Sequence, residues 1–180
     1  MVKEARVHDD PQDAEHWEAV EEAVELLLEK NHQGALEALR DVIKRDPRNA
    51  YAYYYTGTAL FEVGRFDEGE LAYRAALKLA PRYLAARTGL AQTLRISGDY
   101  HGAIAEARRA LDQAPGDSDA LFALGLAQAS SGDARGAIRT LEAFLVSGPE
   151  FEIAVEARAM LLRLRGELPD NDNDGEDDTN

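Results

Sequence analysis

Apolar residues recur at helical spacing along most of the chain, and polar residues fill the positions between them. In "YLAARTGLAQTLRIS", residues 83–97, the apolar positions fall three and four apart, and the same holds for "HGAIAEARRALDQAP", residues 101–115. The short "GDY" between them breaks the pattern. Two amphipathic helices joined by a tight turn are the expected unit.

That unit repeats. Pro47, Pro81, Pro115 and Pro149 are spaced by 34 residues each time, and so are Gly64, Gly98 and Gly132. Ala35, Gly69, Ala103 and Ala137 form a third series with the same period. Three independent series sharing one period mark an internal repeat. The glycines suit a chain leaving the first helix in a left-handed conformation. An acid follows shortly after each (Asp67, Asp99, Asp133), near the expected start of the second helix. The proline then ends that helix, because it lacks the amide hydrogen and clashes with the preceding turn. Gly57, Ala91 and Gly125 in the first helices, with Ala76 and Ala110 in the second, let backbones approach closely. Phe144 occupies the matching place in the last repeat, and its bulk predicts looser or rearranged packing there.

The period, the small residue at 57, 91 and 125, the "G-x-[FY]" of Gly64–Phe66 and Gly98–Tyr100, the small residue at 69, 103 and 137 and the closing proline together resemble the tetratricopeptide repeat. The resemblance covers about residues 14–149 as four repeats (16–49, 50–83, 84–117 and 118–149), of which the middle two match best. The first is degenerate, with Lys30 in place of the glycine, although Ala23, Ala35 and Pro47 keep register. "EFEIAVEARAMLLRLRG" after Pro149 reads as one more amphipathic helix, 150–165, ended by Gly166 and Pro169. Repeat arrays need such a helix to cover the exposed end of their core. The expected organisation is a flexible segment 1–13, a repeat domain 14–166 and a disordered acidic tail 167–180.

The resemblance implies an all-α, right-handed α-solenoid whose first helices line a concave groove. It places groove side chains at the second, fifth, ninth and twelfth positions of each repeat. The first repeat then contributes Trp17, Val20, Val24 and Leu27, and the second Tyr51, Tyr54, Thr58 and Phe61. The third contributes Ala85, Thr88, Gln92 and Arg95, and the fourth Asp119, Phe122, Leu126 and Ala129. In the tyrosine-rich stretch, Tyr53 is expected to point inward between paired helices, with Tyr55 at the groove's edge. Tyr51 and Tyr54, three apart, share a helix face with Phe61 and are expected in the groove. Aromatic anchors in concave surfaces carry much of the energy of protein interfaces. An apolar lining of this kind suits an extended or helical segment of a partner. Alternatively, residues 1–13 fold back into the groove. The cationic clamp by which some family members grip a C-terminal carboxylate is absent: its places hold Val20, Val24, Tyr55, Ala85 and Gly89.

Charge narrows the partners. The net charge of −14 belongs to the ends: residues 1–29 carry ten acids and two bases, and residues 166–180 seven acids and no base. The middle is nearly neutral and offers no field for phosphate backbones, so no nucleic acid partner is expected. No apolar run reaches the length of a membrane span, which predicts no membrane association. The absence of cysteine excludes thiol catalysis and fits a cytoplasmic setting.

"DNDNDGEDD" carries Asp170, Asp172, Asp174 and Asp178 at spacings like the start of a calcium loop, with Gly175 for the turn. It lacks the closing glutamate and the second helix, and its composition favours disorder. His8, His16, His32 and His101 have no metal-ligand spacing. No phosphate loop, serine elbow or catalytic carboxylate pair is present, so no enzyme, metal or cofactor is expected. The acidic first helix, Glu15 to Glu29, reads as a solvated face or a dock for a basic partner.

Two functions follow. One is a non-catalytic adaptor or scaffold, monomeric or a small homo-oligomer. It would hold a peptide by apolar anchoring on Tyr51, Tyr54, Phe61 and Phe122, oriented by Gln92 and Arg95. A narrower version is a secretion-type chaperone, which the chain resembles in layout only. The other is a self-assembling scaffold that stacks through its ends or through a neighbour's N-terminal segment.

Overall fold

The computed structural model describes residues 13–166, and these form ten helices with no strand among them. In chain order they are α1 (Asp13–Glu18), α2 (Glu21–Leu28), α3 (His32–Arg45), α4 (Ala50–Glu62), α5 (Phe66–Leu79), α6 (Leu84–Ile96), α7 (Tyr100–Gln113), α8 (Ser118–Ser130), α9 (Ala134–Val146) and α10 (Phe151–Leu164). The N-terminal segment, His8 and the acidic tail with its calcium-like spacing lie outside the described residues.

Helix pairs α4–α5, α6–α7 and α8–α9 are hairpins, and each packs on the next. First helices also touch first helices across repeats, α4 on α6 and α6 on α8. The first helices therefore lie on the inside of the curve of a right-handed α-solenoid.

One turn chemistry is used four times. Gly64, Gly98 and Gly132 take φ of 75°, 87° and 84°, and Lys30 takes φ 60° at the matching place of the first repeat. In each case the next residue's amide reaches back five residues: Asn31 to Leu26, Arg65 to Leu60, Asp99 to Leu94 and Asp133 to Gln128. This is a Schellman closure, which satisfies carbonyls at the helix end.

The residue after the turn caps the second helix. Asn31, Asp99 and Asp133 accept from the amides of Gly34, Gly102 and Gly136 at 3.0, 2.9 and 2.9 Å. Asp67, expected near this role, lies inside the first turn of α5 instead. The cap position there is Arg65, which makes no cap and pairs with Glu68 at 2.6 Å.

The first repeat departs from the single helix expected between Glu15 and Glu29. Asn49 Nδ2 donates to the carbonyl of His16 at 2.9 Å, and His16 Nε2 lies 2.8 Å from Asp46 Oδ2. With that carbonyl engaged by Asn49, the Val20 amide bonds Trp17 instead of the helical partner four residues back. The helix breaks there into α1 and α2, and α1 is pinned to the loop before α4.

The array is bound by three apolar clusters: the first runs from Val20 before α2 to Ala127 of α8, the second links α6, α7 and α8, and the third joins α9 to α10. Phe144 does not loosen the last repeat. It is buried at the centre of the third cluster, with its ring 4.9 Å from Phe122 and Ala157 and Leu161 of α10 beside it.

Candidate functional site on the inner face

The tyrosine-rich stretch forms the heart of the first cluster. Trp17 stands edge-on to Tyr51 at 5.6 Å, and Tyr51 stands edge-on to Tyr83 at 5.6 Å. Tyr54 lies 4.8 Å from Tyr55 and 4.9 Å from Tyr83, with Tyr73 at 6.0 Å. Six aromatic rings from four segments thus form one continuous body.

Tyr51 is 1% exposed and therefore belongs to the core rather than to an open groove wall. The reason is α1: once the first helix breaks, Trp17 closes over one edge of Tyr51 while Tyr83 covers another. Tyr55 is buried too, not at an edge, because Trp17 and Tyr54 flank it. Tyr53 is half-buried against the same cluster. Val20, Thr88 and Leu126 are also buried. Thr88 further commits its hydroxyl to the carbonyls of Leu84 and Ala85.

Trp17, Val24, Tyr54, Thr58, Phe61, Gln92, Arg95 and Phe122 retain partial exposure. Tyr54, Thr58 and Phe61 lie along α4, Gln92 and Arg95 on α6, and Phe122 on α8. Tyr73 donates to the Thr58 hydroxyl at 3.3 Å, and Thr58 donates to the carbonyl of Tyr54 at 3.2 Å. Burial first, and the field of the Asp119 carboxylate, hold the Tyr54 hydroxyl above its usual range, against the bond to Thr58.

Arg95 brings the unspent polar capacity. Its Nε is buried and meets no hydrogen-bond partner among the described residues. Such a group is costly to leave unmade. Arg87 on the same helix is engaged through both Nη atoms, donating to Glu106 at 2.7 Å and to the carbonyl of Pro81. Glu106 also accepts from Arg109. Sequence reasoning missed this network; the only sequence trace is an arginine and a glutamate facing across one hairpin.

Among the described residues, no group of three His, Asp or Glu side chains could hold a metal ion. No helix among them is long and apolar enough to cross a membrane.

Comparison with known proteins agrees with this architecture. One tetratricopeptide repeat family profile matches residues 21–83 and 56–118, and a second matches residues 94–161. Among solved structures, the crystal structure of MamA superposes with a TM-score of 0.68 at 22% identity, covering 80% of this chain and 84% of that one. A MamA fragment from Desulfovibrio magneticus gives 0.65 at 18% identity, covering 81% and 92%. A tetratricopeptide repeat protein from Parabacteroides merdae gives 0.67 at 19% identity, covering 84% and 60%. At these identities the likeness concerns the fold. No curated protein sequence matches the chain.

Proposed function

Because the chain belongs to the tetratricopeptide repeat family, whose arrays are protein-interaction modules, we propose that it is a non-catalytic adaptor holding a peptide segment of a partner protein along its inner face. The observation that carries this reading is the pairing of half-buried apolar surface with a buried donor that lacks a partner. Phe61 and Phe122 offer apolar contact on α4 and α8, and Arg95 between them on α6 presents an unsatisfied Nε. A bound backbone carbonyl or carboxylate meets that donor, while Gln92 fixes its direction. Tyr54 and Thr58 form the floor, already positioned by the Tyr73 bond, so binding them costs little ordering. Trp17 and Val24 extend the apolar strip toward the first repeat. Tyr51, Val20, Thr88 and Leu126 support it from behind.

The test is site-specific photocrosslinking in the native cell, with the crosslinker at Phe61, at Phe122 and, as a control, at the exposed Leu71 of α5. The expected result is one partner captured at both inner positions and not at Leu71, with capture lost when Arg95→Ala is added. Capture of unrelated proteins at the two inner positions, or insensitivity to Arg95→Ala, sinks the reading.

A further inference from the structure

The 34-residue register lays the inner face out as a grid. Tyr54, Thr88 and Phe122 hold one position on α4, α6 and α8. Thr58, Gln92 and Leu126 hold the next, and Phe61, Arg95 and Ala129 the third. Tyr54 and Phe61 make an apolar wall on α4 and Phe122 makes one on α8, whereas α6 between them offers Thr88, Gln92 and Arg95. The first helices touch across repeats, α4 on α6 and α6 on α8. Packed helix axes lie about 8–10 Å apart, which sets α4 and α8 roughly 16–20 Å apart on either side of α6. A helix with its side chains is about 10–12 Å across and fits the channel over α6.

The hydrogen-bonding capacity of this channel selects the conformation of its occupant. Its walls and floor are helices, whose backbone groups are bonded within each helix. Thr58 is spent on Tyr73 and on Tyr54, and Thr88 on the carbonyls of Leu84 and Ala85. Gln92 and Arg95 are what the grid positions of α4 and α6 have left to offer. An extended segment would press a row of amides and carbonyls onto this surface, about two such groups per residue. Most would go unmet, and each unmet group removed from water is costly. A helix arrives with its backbone satisfied except at its ends.

Arg95 fixes the chemistry of that helix. Its Nε is buried without a partner among the described residues, whereas Arg87, two turns earlier on α6, has Glu106. A docked helix has spent its own carbonyls, so the acceptor has to be a side chain. A guanidinium drawn partly out of water is best met by a carboxylate, which can take two parallel bonds from it. Asp119 does not compete for that place with its own charge. It stands ten positions earlier in the repeat than Ala129, the α8 counterpart of Arg95, about 15 Å back along the helix axis. Apolar side chains three or four residues to either side of the bound acid reach toward Phe61 and Phe122. Resting on the adaptor reading above, we propose that the inner face takes an amphipathic helix of the partner with one Asp or Glu in the middle of its apolar side, seated on Arg95.

The test sets two displayed peptide libraries against the immobilised full chain. One has an Ala/Gln/Lys helical background randomised at i, i+3, i+4, i+7 and i+8; in the other, randomised residues alternate with prolines and stay extended. Binders are expected from the helical library, with Asp or Glu at one randomised position between apolar residues. With Arg95→Leu as bait the acid is no longer selected, and with Arg95→Glu it gives way to Lys or Arg. By anisotropy, changing the selected acid to its amide weakens the best peptide at least tenfold on the unmodified chain and less than threefold on Arg95→Leu. Helical circular dichroism is the same for all baits. The proposal is overturned if neither library binds, if the extended one supplies the binders, or if no acid is selected. It is also overturned if Arg95→Leu selects the same acid or if Phe61→Ser/Phe122→Ser leaves binding intact. A partner crosslinked in the cell through an extended or acid-free segment overturns the helix and leaves the adaptor standing. Selection of the acidic helix with no partner captured in the cell supports the site and sinks the adaptor reading alone.

Discussion

The ring of Tyr73 fills the space that a side chain on Gly89 would take. An ideal Cβ on Gly89 would lie 2.7 Å from Cε1 and Cζ of that ring, and one on Gly57 would lie 2.8 Å from Cδ1 and Cε1. Tyr73, from the second helix of one repeat, is thus wedged between the first helices of its own repeat and the next. The pairing runs through the array at a fixed offset of 16 residues. Gly57 faces Tyr73, Gly125 faces Leu141, and where the second helix offers only Ala107 the first helix carries Ala91.

Gly89→Ala is expected to destabilise despite the better helix propensity of alanine. Overpacking costs about 1–3 kcal/mol, against about 1 kcal/mol regained from removing a helical glycine. In a Tyr73→Ala background the ring is gone and the same change becomes stabilising. Urea melts of the four proteins in the cycle read the change of sign; additive effects would mean the ring is not the obstacle.

Lys30 holds a left-handed conformation that its three counterparts assign to glycine. Lys30→Gly is expected to stabilise the first repeat by about 1 kcal/mol, the penalty for a side chain in that region. The increase in urea midpoint is the readout, with Gly98→Lys predicted to move it the other way.

Arg87 and Glu106 make a nearly buried ion pair whose side chains are 13% and 10% exposed. Arg87→Leu leaves Glu106 with Arg109 as its remaining cation, and the expected loss is about 2 kcal/mol, below the usual cost of an orphaned buried charge. Adding Glu106→Leu is expected to restore part of that loss. A double mutant less stable than Arg87→Leu by the full cost of Glu106→Leu alone would show the two residues are not coupled.

Tyr54 and Tyr73 are both held above the ordinary tyrosine value of 10.0, chiefly by burial. The folded state therefore keeps its protons where the unfolded chain loses them, so the stability they contribute is present below about pH 10 and falls as pH rises beyond it. Tyr54→Phe/Tyr73→Phe should flatten the decline in urea midpoint between pH 9 and pH 11. An unchanged slope would mean these hydroxyls do not govern the alkaline limit.

The sequence by itself determined the repeat, because its period is written in residues whose roles are local. A glycine that turns the chain and a proline that stops a helix act within a few bonds and recur every 34 residues, and the capping Asn or Asp keeps that register at 31, 99 and 133 but not at Arg65. The helix starts at Ala50, Leu84 and Ser118 follow that same spacing. What the tertiary structure decided was which aromatic side chains remain accessible. Tyr51 and Tyr54 share a helix face by periodicity, yet only Tyr54 retains exposed surface, because Asn49 engages the carbonyl of His16, breaks the first helix and sets Trp17 against Tyr51. The surface of α10 is of the same kind. Its apolar pattern reads from sequence as a finished cap, and only the packing among the described residues leaves Phe151, Val155 and Leu162 exposed, since burial depends on which neighbour a side chain meets and not on its spacing alone.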